Sequence, residues 1–184
     1  IRLKDLAAQS GKNNSDWKFE SIVTGSRIGN IQVATGKLAD AQKTYEASIR
    51  DLDELVRNND SANEWKRQLA SLHQLKSRLS VMQGNLESAD EEMKKAINRF
   101  QEIVSFDTYR TDWREMLAKA HYDAAEVARL QRNPDINKHL LEAEKIISYL
   151  STDGTPPASL RRTKAGILIT RALTGKHENK SALF

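Results

Sequence analysis

The three tryptophans of this chain lie at residues 17, 65 and 113, so each interval is 48 residues. Each stands between an acid and a base: Asp16-Trp17-Lys18, Glu64-Trp65-Lys66 and Asp112-Trp113-Arg114. Other positions keep the same period. Ile1, Ile49 and Ile97 repeat at 48, as do the small residues Gly29, Ser77 and Ala125 and the branched apolar residues Ile31, Leu79 and Val127. Gly36 pairs with Gly84, Ala41 with Ala89, Tyr45 with Met93, and Ser48 with Ala96. A fixed period of this length signals a stacked repeat, in which one supersecondary unit cannot bury its apolar face without a neighbour.

Each unit reads as two helices. In the second unit, Leu69, Leu72, Leu75, Leu79 and Met82 recur at steps of three and four, the spacing of one helix face, over about residues 62–82. Gly36 and Gly84 mark helix ends, because glycine takes the left-handed conformation of a helix C-cap without strain. A second helix over about 86–105 has the stripe Leu86, Ala89, Met93, Ala96, Ile97, Phe100 and Val104. Small residues at 29, 77 and 125, faced by Ala41 and Ala89, let the paired helices approach closely. The third unit keeps register through Val127 and then departs, with Arg132 at the glycine position and "NPD" following. Its second helix is therefore expected to be shifted or shortened.

The pattern Gly29, Gly36, Ala41, Tyr45, Ser48, repeated as Ser77, Gly84, Ala89, Met93, Ala96, resembles the tetratricopeptide repeat family. The resemblance covers roughly residues 14–150, with helices lengthened from the family's usual 34-residue period. Arrays of this lengthened kind are similar to those of bacterial multidomain signalling proteins, including some serine/threonine protein kinases. The resemblance implies an all-α, right-handed solenoid of antiparallel hairpins, with about seven helices and a concave face that holds a partner segment. The expected division is the end of a truncated preceding repeat at 1–9, repeats at 14–60, 61–108 and 109–152, a capping helix at 156–174, and a tail at 175–184. The capping helix is expected to start at Pro156 or Pro157 and to keep one polar face in water.

Trp17, Trp65 and Trp113 invite two readings: a binding aromatic in each repeat, or an anchor between neighbouring hairpins. The anchor is favoured, because Asp16, Glu64 and Asp112 then sit at helix N-termini, where the macrodipole favours an anion. Lys66 would then point outward into water. The structural anchors are the three tryptophans with Gly29, Gly36, Gly84, Ala41 and Ala89. On the inner face, the positions expected to meet a partner are Ser26, Asn30, Gln74, Arg78, Tyr122, Glu126 and Arg129.

Catalytic chemistry finds little footing. The chain has no cysteine, which removes thiol nucleophiles, disulfides and cysteine-based zinc sites. No phosphate-binding loop, nucleophile elbow or H-E-x-x-H motif occurs. His73 and His121 are 48 apart, so they occupy equivalent places in adjacent repeats and are expected to pack or cap, while His139 stands alone. The acidic run at 90–92 reads as a solvated helix face, with Glu91 and Lys95 as an i,i+4 pair. No cofactor or metal is expected.

Net charge is +4, and residues 161–184 hold six bases and one acid, so the rest of the chain is near neutral. Nucleic acid is therefore not the expected partner; Arg161, Arg162, Lys164 and Arg171 read as an exposed basic end. No apolar run is long enough to cross a bilayer. The expectation is a non-catalytic, cytoplasmic protein-interaction or scaffolding module of a larger bacterial signalling protein. The alternative is a self-associating or regulatory module that controls an upstream kinase-like domain.

Overall fold

A computed structural model describes residues 14–59 and 62–181, with side chains described through residue 174. The segment 1–9 lies outside the described residues. Among the described residues, seven α-helices follow one another: α1 Asn14–Ala34, α2 Leu38–Asn58, α3 Asn63–Met82, α4 Leu86–Phe106, α5 Thr111–Gln131, α6 Ile136–Leu150 and α7 Arg161–Ser181. No strand occurs among the described residues; Thr152 and Thr155 close a four-residue turn before α7.

Consecutive helices pack as hairpins, α1 on α2, α3 on α4 and α5 on α6, and each hairpin stacks on the next. First helices also touch first helices: α1 meets α3, α3 meets α5, and α5 meets α7. The second helices α2, α4 and α6 make no comparable contact among the described residues. The stack therefore curves, with first helices on the inside.

The core is divided among the joints. Ile22 of α1, Leu52, Leu55 and Val56 of α2, and Leu69, Leu72 and Leu79 of α3 form one cluster. Ala70 of α3, Met93 to Val104 of α4, and Trp113, Leu117 and Ala120 of α5 form the next. The third joins Ala118 and Ala125 of α5, Leu140, Ala143 and Ile147 of α6, and Leu160 and Ile167 of the α7 region. Each cluster belongs to one hairpin and the first helix after it, so no hairpin is self-sufficient.

The turns show why the repeat survives a sequence change. Gly36 and Gly84 have φ of 76° and 78°, and Arg132 takes the same left-handed conformation at 56°. All three turns carry the same pair of hydrogen bonds: Lys37 N–H donates to Gln32 O, Asn85 to Ser80, and Asn133 to Ala128, each with a second bond one residue inside. The hydrogen bonds hold Arg132 in a conformation that costs an L-residue about 1 kcal/mol or more. The third unit is shortened after this turn: α6 has 15 residues, against 21 in α2 and α4.

Gly29 lies under the ring of Tyr45. A Cβ there would come within 2.8 Å of Tyr45 Cδ1 and closer still to Cε1. Tyr45 is buried, and its hydroxyl donates to Asn30 Oδ1 at 2.6 Å. The second unit matches Ser77 with Met93, and Ser77 Oγ donates to the Ala89 carbonyl at 2.7 Å.

Four expectations are corrected by packing. Lys66 does not reach outward into water. It is buried, and its Nζ donates to Glu102 Oε1 of α4 at 2.6 Å, the aliphatic stem running through the hairpin joint. The acidic run at 90–92 is not wholly solvated, because position 92 turns toward α3. Glu92 is buried, Lys95 pairs with it rather than with Glu91, and Lys94 pairs with Asp90. His139 does not stand alone, since α6 carries it against His121. The last helix starts at Arg161, after a 3-10 turn over Ala158–Leu160 that Pro157 precedes, and its outward face is not polar: Leu168, Ile169 and Leu173 are exposed. Its backbone continues as helix to Ser181, into the segment expected as a tail.

Candidate partner-binding face

Trp65 packs between the first two hairpins, its ring 6.1 Å from that of Phe19. Trp113 is buried between the second and third, with the Arg110 guanidinium 4.5 Å from its ring centroid. Its indole N–H meets no acceptor among the described residues. Trp17 is partly exposed on α1, the first helix of the described array. Asp16, Glu64 and Asp112 each fall in the first turn of a first helix. Glu64 pairs with Arg67, and Asp112 with Arg110.

The seven inner-face positions separate into three groups. Ser26 is buried and donates to the Val23 carbonyl at 2.7 Å, so it is part of the α1 surface rather than a free hydroxyl. Asn30 is exposed and orients Tyr45 from above. Gln74 and Arg78 are brought together by a residue that sequence reasoning missed: Asp123 of α5. Gln74 Nε2 donates to Asp123 Oδ2 at 2.7 Å, and Arg78 donates to the same oxygen through Nε at 3.0 Å and Nη2 at 2.7 Å. Asp123 follows Tyr122 in sequence, and a count of repeat positions alone favours the tyrosine.

Tyr122 and Glu126 meet α7, and Arg129 pairs with Glu126. The Tyr122 ring lies against Gly166, where a Cβ would be 3.0 Å or less from ring atoms. Glu126 accepts from Thr170 at 2.6 Å through one oxygen and from Arg129 at 2.9 Å through the other. Burial comes first in raising the Tyr122 hydroxyl above its ordinary value, reinforced by the Glu126 charge. Tyr122 and Glu126 hold the last helix onto the array, and Arg129 braces Glu126.

Between α3 and α5, next to the Arg78–Asp123 bridge, a pocket of about 150 Å³ opens on the inner face. Val81, Met93, Val127 and Leu130 supply apolar walls, and Arg78, Asp123 and Glu126 the polar rim. Leu130 is exposed there, and Met82 at the end of α3 is exposed as well.

The outer side carries a wider groove of about 540 Å³ between α2 and α4, over α3. Its charges are already paired. Lys76 reaches Glu46 and Glu92, each at 3.5 Å; Arg99 reaches Glu102 at 3.2 Å and Asp53 at 3.7 Å. His73 Nδ1 lies 2.6 Å from Glu92 Oε2. Burial alone would raise the Glu92 carboxyl, but hydrogen bonds from His73 and Lys95 and the Lys76 charge outweigh it and hold the pKa at about 2. At the next joint His121 and His139 face each other, Nδ1 to Nδ1, at 3.3 Å. Burial, then the charge of His139, lowers the His121 pKa to about 4, so both rings are neutral at pH 7. No group of three or more His, Cys, Asp or Glu side chains among the described residues is placed to hold a metal ion.

No family model matches this chain, and no curated protein sequence does. A solved structure of Nro1, described as a hypoxic regulator of sterol synthesis and a nuclear import adaptor, is similar in fold, with a TM-score of 0.63 and 14% identity. The match covers 89% of this chain and 54% of that one, so this chain spans about half the length of the structure it resembles. The likeness is one of helical-repeat architecture. No described helix is long and apolar enough to cross a membrane.

Proposed function

We propose that this chain is a non-catalytic protein-interaction module of a larger signalling protein, and that it grips a partner segment along the inner face of its first helices. The observation that carries this reading is the pocket beside Arg78. Its volume of about 150 Å³ suits one apolar side chain, and its rim offers a fixed cation and carboxylate within hydrogen-bond reach of a passing backbone. Asn30 and Gln74 extend the polar track toward α1. Concave sites with apolar floors and a few placed polar groups are the usual form of a recognition surface. An adaptor role, as described for the protein with the similar fold, fits the same reading.

The test is affinity capture with the wild-type chain and with Arg78→Glu combined with Leu130→Asp. Both side chains are exposed, and an unchanged melting curve shows that the variant keeps its fold despite the loss of the Arg78–Asp123 bridge. Loss of the captured partners supports the inner-face site; an unchanged set refutes it. A second reading, self-association that regulates an enzymatic domain of a larger protein, draws on the exposed apolar side chains of α7. Light scattering separates the two, since a strict monomer at high concentration rules against assembly.

A further inference from the structure

The last helix is a first-type helix in register with the others. Trp17-Lys18, Trp65-Lys66 and Trp113-Arg114 open α1, α3 and α5, and Leu160-Arg161 opens α7 at a spacing of 47 from the third pair. Leu160 is fully buried in the third core cluster, at the joint with α5 and α6, and takes the place of the tryptophan. Twelve residues after each of these apolar positions comes a small one: Gly29, Ser77, Ala125 and now Ala172.

This register gives the outward face of α7 a meaning. Five and twelve residues after the tryptophan are the positions that a first helix presses against its own second helix. Ala70, Ala118, Ser77 and Ala125 stand there in α3 and α5, and all are fully buried. The same positions in α7 are Ala165 and Ala172, both exposed. Leu168 and Ile169 lie between them, 60% and 61% exposed, at the places of His121 and Tyr122. Residues 165, 168, 169, 172 and 173 form one continuous apolar stripe at helical spacing. Residues 165, 168 and 172 match the hairpin face of a first helix, and 169 and 173 adjoin it at the places that meet the next first helix; no second helix lies upon this stripe among the described residues.

The charge pattern specifies which end of a covering helix would lie at Arg161. In the first hairpin Lys18 Nζ pairs with Glu54 of α2 at 2.9 Å, and in the second Lys66 pairs with Glu102 of α4 at 2.6 Å. Both acids lie in the C-terminal turns of their helices. In the third hairpin the equivalent Arg114 stacks on Tyr149, 4.5 Å from the ring centroid, again at the C-terminal end of the second helix. Arg161 is the fourth member of this series; it is exposed and has no ion-pair partner among the described residues. Residues 161–174 carry Arg161, Arg162, Lys164 and Arg171 and no acid. Two copies meeting through α7 would bring like charges together, which disfavours a symmetric dimer.

We propose that the exposed face of α7 receives an amphipathic helix of another protein, antiparallel to α7, with an acidic residue in its C-terminal turn that pairs with Arg161. This site is separate from the inner groove and independent of it.

The probe is a synthetic peptide of residues 86–106, the chain's own second helix, with Glu92→Leu so that an apolar side chain meets Leu168. Fluorescence anisotropy with the full chain is expected to show saturable binding. Leu168→Asp should weaken it about tenfold or more, because the buried leucine contact is replaced by a desolvated charge. Arg161→Glu should weaken it as well, and a peptide that also carries Glu102→Arg should recover affinity for that variant. Leu168 and Arg161 are exposed, and an unchanged melting curve confirms that each variant folds. The proposal is overturned if the peptide does not bind, if Leu168→Asp leaves binding unchanged, or if the charge swap restores nothing. It is also overturned if sedimentation shows that the wild-type chain self-associates and Leu168→Asp makes it monomeric, since the occupant is then a second copy.

Discussion

Replacing Gly29 by alanine sets two effects of known sign against each other. Glycine within an exposed helix costs about 1 kcal/mol relative to alanine, so propensity alone predicts that Gly29→Ala stabilises α1. The structure predicts the reverse. The new methyl group would stand 2.8 Å from Tyr45 Cδ1 and 3.0 Å from Cζ, well inside van der Waals contact. Tyr45 has little room to yield: it is 1% exposed, and its hydroxyl is tied to Asn30 at 2.6 Å. Overpacking of this kind costs about 1 to 3 kcal/mol, and displacing the ring strains a further hydrogen bond of about 1 kcal/mol. The expected net effect is a loss of about 1 to 3 kcal/mol, or a melting temperature lower by roughly 2 to 12 °C in a domain of this size. Urea denaturation followed by circular dichroism measures it. The second unit supplies the rescue: Gly29→Ser with Tyr45→Met copies the Ser77–Met93 pair and should recover part of the loss. A Gly29→Ala variant that melts at or above wild type would refute the close-approach argument.

Three other perturbations have worked-out signs. Arg132→Gly should stabilise by about 0.5 to 1 kcal/mol, because it relieves the left-handed strain at φ 56° and gives back part of that gain as unfolded-state entropy; chemical denaturation is the check. His121 has its pKa lowered to about 4 from an unfolded value near 6.5, so its contribution is complete above 6.5 and is lost as pH falls toward 4. The loss is on the order of 3 kcal/mol by the conversion of about 1.4 kcal/mol per unit, and His121→Phe should flatten the stability profile between pH 6.5 and 4.5, above the window in which Glu92 titrates. At the Lys66–Glu102 pair, a double-mutant cycle with Lys66→Met and Glu102→Leu should give a coupling energy above the roughly 0.5 kcal/mol of a fully exposed pair, because the Lys66 side chain is only 7% exposed.

The architecture was legible because repeat arithmetic registers backbone requirements. The 48-residue interval, the glycines at 36 and 84, and the stripe from Leu69 to Met82 all report helix ends and faces, which depend on local spacing. The contacts of the proposed inner face were legible only in part. Gln74 and Arg78 share one face of α3 by their spacing, but their partner Asp123 comes from the next unit, at separations of 49 and 45 that depend on how hairpins rotate as they stack. Tyr122 was expected to meet a partner, and in the structure its ring lies against Gly166 of α7. The buried charges were the least legible. Lys66 and Glu92 look like surface residues by type, and pairs across the hairpin, Lys66 with Glu102 and Glu92 with His73 and Lys76, help make their burial tolerable.

The inner-face account is tested most directly by photo-crosslinking from single positions. A benzophenone amino acid is placed at Arg78 on the inner face, at Leu130 beside the pocket, and at Asn98 in the outer groove, all three exposed. Each variant is then irradiated in the presence of the captured partner. The account predicts adducts from 78 and 130 and none from 98. Adducts from 98 alone, or equal yields from all three, would contradict it.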